Sequence, residues 1–177
     1  VEAPSQMLEH WAWDKKPLAL LSAHHKTGKP LSEELLKNLL ASKKHLLRYG
    51  TLRQLIQGML DLTLHTKNKP PEPAKLYRDL IKKYTGITLP KDAIFPAGFG
   101  HLEGYDAGYY GYLWSNVYAA DMFTRFEKEG IMNKKTGTDY KKWILEKGGS
   151  MEELDLVKGF LGRLPNNKAF LKEIGVK

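Results

Sequence analysis

The sequence predicts an all-α fold, a bundle of several amphipathic helices. Apolar residues recur at three- and four-residue intervals through most of the chain. Glycine and proline fall between these periodic stretches rather than inside them. No stretch alternates apolar and polar residues over five or six positions with β-branched enrichment, so strands have no competing claim.

The elements follow in order. Residues 2–13 read as a helix with Met7, Leu8 and Trp11 as its apolar stripe, and Pro4 fits a first turn. Pro17 ends that stretch or starts a short helix over 17–25, and Gly28-Lys29-Pro30 breaks the chain. Ser32 is a plausible N-cap for a helix over 33–47, whose Leu35, Leu36, Leu39, Leu40 and Leu46 keep helical spacing. A helix over 50–66 presents Leu52, Leu55, Ile56, Met59 and Thr63 on one face. After the rigid Lys69-Pro70-Pro71-Glu72-Pro73 loop, residues 73–85 form a helix that stops at Gly86.

Residues 87–104 are broken repeatedly by Pro90, Pro96, Gly98, Gly100 and Gly104, a long loop of the kind that often carries function. Helices are then expected over 106–129, 137–147, 151–162 and 167–174. Ser150-Met151-Glu152-Glu153 reads as a capping box for the third of these. The whole of 1–177 is taken as one helical region, divided into 1–86, the loop 87–104, and 105–177.

Composition narrows the function. Of the 177 residues 42% are hydrophobic and 27% charged, as in a soluble globular protein. No apolar run nears the ~20 residues of a membrane span, so no membrane partner is expected. The absence of cysteine excludes disulfides and thiolate metal sites and fits a reducing, cytoplasmic setting. The net charge of +8 raises a nucleic-acid partner, but Lys15, Lys43, Lys82, Lys134 and Lys158 are spread evenly, as on a solvated surface. The chain enters helical patterning at its first residues, without a start methionine, and is expected to be a piece of a larger protein.

Two groups of residues carry chemistry. Tyr105, Tyr109 and Tyr112, at i, i+4 and i+7, put three phenols on one helical face, with Gly108 and Gly111 between them. Glycine costs about 1 kcal/mol inside a helix, so the pair implies a close approach of backbone or ligand. An aromatic core stripe is the plain reading. Phenols are also neutral donors suited to an oxyanion, and His101 sits beside them between Gly100 and Gly104. The second group is Glu2, Ser5, Gln6 and Glu9 on one helix edge, where a carboxylate can be solvated or can serve as a third zinc ligand. His24 and His25, being adjacent, should face different ways, and Asp61 and His65 read most simply as a surface pair. No His-Glu-x-x-His, phosphate-cradling glycine loop or Gly-x-Ser-x-Gly is present.

Val1-Glu2-Ala3-Pro4-Ser5-Gln6-Met7-Leu8-Glu9-His10-Trp11 resembles the segment that follows the His-Glu-x-x-His helix in the thimet oligopeptidase-like zinc peptidases, the M3 group. Gly104-Tyr105-Asp106-Ala107-Gly108-Tyr109-Tyr110-Gly111-Tyr112-Leu113-Trp114-Ser115 resembles their tyrosine-bearing loop and helix. Glu129–Asn133, Gly148–Ser150 and Phe160–Pro165 are similar to their C-terminal run, so the resemblance covers the chain in order. The loop from His101 to Tyr105 departs from many relatives in being shorter, with Glu103 in it.

The resemblance implies a zinc endopeptidase acting on short peptides. It implies Glu2 as a zinc ligand, with two histidine ligands and the general base lying outside this chain. It implies Tyr105 and Tyr112 as stabilisers of the tetrahedral intermediate, His101 near the substrate backbone, and Tyr109 and Gly104 in substrate binding. The expected partners are short peptides and the N-terminal part of the same protein, with pairing of copies through apolar faces that part would cover. The chain alone is expected to be inactive and free of zinc. The rival readings are a non-catalytic helical interaction module and, less favoured, a basic nucleic-acid binder.

Overall fold

The computed structural model describes residues 1–45 and 47–176, and among them the regular structure is helical throughout. The α-helices are α1 (Ala3–Leu8), α2 (Lys15–Leu21), α3 (Glu33–Lys44), α4 (Leu47–Thr66), α5 (Pro73–Thr85), α6 (Tyr110–Glu129), α7 (Lys134–Tyr140), α8 (Glu153–Leu161) and α9 (Lys168–Glu173). The chain divides into two units, one of residues 1–47 and 115–177, the other of residues 48–114.

The first unit is built on an aromatic core. Met7 is fully buried, and Phe123, Phe126, Tyr140 and Phe160 surround it together with Ala119 and Met122. Ala119, Met122, Phe123 and Phe126 are spaced to share one face of α6. Trp11 meets Phe123 and Phe126 edge-on at centroid distances of 5.1 and 4.7 Å, and its indole N–H donates to the Ile131 carbonyl at 2.9 Å. Burying side chains of this size contributes about 1.5–3 kcal/mol each.

Polar groups in this unit are tied in by Arg125 and Asp121. Arg125 donates to Glu129 at 2.9 Å, to Asp139 at 2.5 Å and to the Phe160 carbonyl at 2.7 Å. Asp121 is 1% exposed and accepts both terminal nitrogens of Arg163, at 2.8 and 2.6 Å, and the Asn166 backbone N–H at 2.9 Å. The Arg163 side chain is 43% exposed, so the pair is buried on the Asp121 side, and removing Arg163 would leave that carboxylate short of two of its donors.

The second unit packs α5 on α4. Ile56 and Leu60 of α4 meet Tyr77, Leu80 and Ile81 of α5, and Phe99 from the following loop completes the core. Glu72 caps α5 by accepting from the backbone N–H groups of Ala74 at 2.9 Å and Lys75 at 2.5 Å. Gly86 closes it in the left-handed conformation, φ 74°. Phe95 stacks on Tyr77 at 4.4 Å and anchors the proline- and glycine-rich loop to the helices.

Most expected elements are present with shifted ends. Residues 2–13 are α-helical only to Leu8 and tighten into a 3₁₀ turn over Glu9–Trp13. α2 starts two residues before Pro17, because Asp14 accepts from the Lys16 N–H at 2.9 Å and caps it. Ser32 caps α3 through Leu35 N at 3.2 Å, as expected, but Leu35 itself is exposed; Leu46 lies outside the described residues. The capping box at Ser150 does not form: Ser150 sits in a 3₁₀ turn, Met151 is extended, and α8 starts at Glu153. His24 and His25 do not face apart, since their non-helical backbone lets the rings stack at 4.9 Å.

Glu173 makes the stability of the first unit pH-dependent. The His10 imidazole 3.6 Å away and the Lys43 ammonium 3.1 Å away hold its carboxyl down to about 2, against the ordinary 4.5. A carboxyl lowered in the fold stabilises it above the unfolded value near 4.5, and that contribution is lost as pH falls toward 2. Thermal unfolding should therefore show a Tm decline between pH 4.5 and 2 that Glu173→Gln flattens. The difference at pH 6 should be about 1–2 kcal/mol after solvent screening. A variant with an unchanged pH profile would remove Glu173 from this role.

Candidate active site

Tyr112 lies in the first turns of α6, but Tyr105 and Tyr109 precede the helix, which starts at Tyr110. The phenols therefore do not form a helical stripe. They cluster because the chain folds back before α6, with Gly104 at φ 99° and Ala107 at φ 56°. Both angles are in the left-handed region, which glycine adopts freely and alanine at a cost of about 1–2 kcal/mol.

The fold-back packs four rings together. His101 lies edge-on to Tyr109 at 5.0 Å, to Tyr112 at 5.6 Å and to Tyr105 at 6.1 Å. Tyr112 is 6.0 Å from Tyr105 and 5.2 Å from Tyr109. Phe99 supports the group from below, edge-on to Tyr109 at 5.0 Å and tilted against His101 at 5.3 Å. His101 Nε2 and Tyr112 Oη are 3.2 Å apart, so one donates to the other according to the imidazole tautomer.

The tyrosines are not equivalent. The Tyr109 hydroxyl donates to Gln57 Oε1 at 2.6 Å, and burial, then the neighbouring Tyr112, push its pKa above the ordinary phenol value. It stays a neutral donor committed to α4. Tyr105 is 42% exposed, so its hydroxyl can meet an incoming group. Gly104 is open on the side where a Cβ would stand, and it supplies the turn rather than a contact.

Asp61 is the residue whose reading from sequence is overturned. It is not a surface residue: its exposure is 0%. Its carboxylate accepts from the backbone N–H of Ala107 at 2.9 Å and of Tyr109 at 3.0 Å, one on each oxygen. His65 Nδ1 lies 2.8 Å from Asp61 Oδ1 and 2.9 Å from the Asp61 carbonyl. Both are acceptors, so Nδ1 carries the proton. Gln57, Asp61 and His65 follow at four-residue steps along one face of α4. The available signal was an acid between Leu60 and Leu62 in an otherwise apolar run.

Glu2 stands at the N-terminal end of α1, in the first unit. It is half-buried, and its Oε2 accepts from the Ser5 hydroxyl at 3.2 Å. Among the described residues no group of three or more His, Asp or Glu side chains is arranged to hold a metal ion. Glu2 offers one carboxylate to any metal. The first unit also holds a cavity of about 980 Å³, with His10, Lys43, Asp121, Arg163 and Glu173 in its walls. Of the acids in its walls, Asp121 is engaged by Arg163 and Glu173 by Lys43 and His10.

The fold and the ring cluster define a helical protein that gathers neutral phenol donors and an imidazole at the mouth of one helix. The sequence profile of Peptidase family M3 matches residues 1–176, and the chain belongs to that family. It is 45% identical over 182 residues to oligopeptidase A of Escherichia coli (strain K12), a match covering 100% of this chain and 27% of that protein. It is 41% identical over 186 residues to saccharolysin of Saccharomyces cerevisiae, covering 100% of this chain and 26% of that protein. It is 37% identical over 186 residues to the organellar oligopeptidase A, chloroplastic/mitochondrial, of Arabidopsis thaliana, covering 99% and 23%. The chain thus spans about a quarter of the length of these relatives. No helix among the described residues is long and apolar enough to cross a membrane.

The two glycines beside Tyr105 make opposite predictions. A Cβ on Gly108 would lie 3.0 Å from Tyr105 Cε1 and 3.1 Å from the Tyr105 carbonyl oxygen, which cannot swing away as a side chain does. A Cβ on Gly111 would meet only the Tyr105 hydroxyl, at 3.8 Å. Gly108→Ala should shift the Tyr105 ring resonances and destabilise by about 1–3 kcal/mol. Gly111→Ala, at a helical position, should be neutral or stabilising by up to about 1 kcal/mol. Equal effects of the two substitutions would contradict this geometry.

Proposed function

We propose that this chain is the C-terminal part of a zinc oligopeptidase and supplies hydrogen-bond donors for the tetrahedral intermediate of peptide hydrolysis. The observation that carries the reading is the 3.2 Å contact of His101 Nε2 with Tyr112 Oη beside the exposed Tyr105 phenol. Family membership and the names of the oligopeptidase relatives support the substrate class, short peptides.

The chemistry follows from the donors. Attack of water on a peptide carbonyl leaves a negative oxygen that needs donors in place before reaction. Tyr112 and Tyr105 each offer an O–H, neutral at pH 7, which stabilises that oxygen without trapping the carboxylate products. His101 orients the Tyr112 hydroxyl and lies near the substrate backbone. Tyr109, bound to Gln57, keeps its ring against the substrate side rather than its hydroxyl, and Gly104 turns the loop so that backbone can approach. Zinc, held by Glu2 together with ligands outside this chain, would supply polarisation of the carbonyl and of water. In this reading the chain alone is inactive. A cytoplasmic location is proposed on its cysteine-free composition.

In the complete enzyme, Tyr112→Phe should lower kcat by about 10²–10³ and leave KM within about threefold. Steady-state kinetics on a fluorogenic short peptide give both numbers. An unchanged kcat would remove Tyr112 from the reaction, and a loss confined to KM would make it a binding residue only.

A further inference from the structure

The catalytic reading leaves one buried acid unused. Asp61 has no exposed surface, and among the described residues its side-chain partner at ion-pair distance is the imidazole of His65. What else surrounds its carboxylate is the backbone of the loop that carries the phenols, one N–H on each oxygen. These two N–H groups belong to the turn that leads into α6. A carboxylate from α4 therefore caps that turn from a distant part of the sequence.

This cap does more than satisfy donors. Ala107 is held at φ 56°, a conformation alanine does not choose by itself, and Asp61 accepts from that residue's own N–H. Gln57, one turn earlier on α4, takes the Tyr109 hydroxyl. One face of α4 thus grips the loop at Ala107, at the Tyr109 backbone and at the Tyr109 ring. Tyr105 is two residues before Ala107, and Tyr112 three after Tyr109, so both phenols are placed by the same grip.

We propose that Asp61 is a positioning residue, which through the Ala107 and Tyr109 amides holds Tyr105 and Tyr112 in the arrangement the reaction needs, with His65 orienting the carboxylate from its outer side. The inference rests on the catalytic reading of the tyrosines. It needs a carboxylate: the amide of asparagine has the same shape but a single acceptor atom, so one loop N–H would face an N–H₂ group.

The test uses the complete enzyme. In the unsubstituted protein, hydrogen exchange should show the Ala107 and Tyr109 amides protected by about 10²-fold or more over unstructured amides; absence of protection there would overturn the proposal without any variant. In Asp61→Asn, exchange of these amides should accelerate at least tenfold while amides of α5 stay unchanged, kcat should fall at least tenfold, and KM should move less than threefold. His65→Phe, which spares the two backbone contacts, should give the same pattern more weakly and stands in if Asp61→Asn does not fold. Unchanged exchange in the variants would overturn the grip. Faster exchange with unchanged kcat would overturn its role in positioning. Tyr112→Phe, measured in parallel, separates the two ideas: if it lowers kcat and the Asp61 variant does not, only the positioning inference fails.

Discussion

A carboxylate buried without exposed surface has to be fully hydrogen-bonded, and at Asp61 the bonds go to the backbone of another segment. That requirement fixes where the loop before α6 can lie. The left-handed turn at Ala107, the seating of the Tyr105 ring against Gly108 and the start of the helix at Tyr110 are all consistent with this anchor. Without it, residues 104–109 would be a glycine-containing loop with a strained alanine, held by the ring contacts of Tyr105 and Tyr109. Such a loop samples many conformations, and donors on it would have to be ordered at the moment of reaction.

The anchor also divides the tyrosines by task. Tyr109 is drawn toward α4 by Gln57, and its phenol, made less acidic by burial, is a structural donor. Tyr105 is exposed, and Tyr112 is paired with His101, a partner that can exchange donor and acceptor roles. The hydroxyl of Tyr109 is thus engaged within the fold, while Tyr105 is exposed to solvent. That distinction comes from the distances, because all three side chains are chemically identical.

Much of the fold was legible from sequence because helix periodicity and caps are local signals. α5 begins at Pro73 and ends at Thr85 as the loop prolines and Gly86 predict, and Ser32 caps α3. Local signals misled where tertiary contacts decide. The Ser150 capping box has the right residues but an extended Met151 after it. The i, i+4, i+7 spacing of Tyr105, Tyr109 and Tyr112 describes one helical face, yet two of them lie before the helix. The clustering expected from that spacing is nevertheless found, by a different route. Asp61 and His65 have the spacing of a common surface pair, and sequence alone carries no sign that the partner of the acid is a backbone 46 residues away. The resemblance to M3 peptidases was legible because it rests on residue identities in order, and these do not depend on where helices begin.

The central claim, that Asp61 prepares the phenols for the tetrahedral intermediate rather than for the substrate, can be read from binding alone. The affinity of a phosphinic peptide, a tetrahedral analogue, is measured beside that of a product-like peptide of the same sequence in the complete enzyme and in its Asp61→Asn variant. The account predicts that the preference for the tetrahedral ligand falls at least tenfold in the variant while the product-like peptide binds within threefold of its original affinity. An undiminished preference, or an equal loss for both ligands, would contradict it.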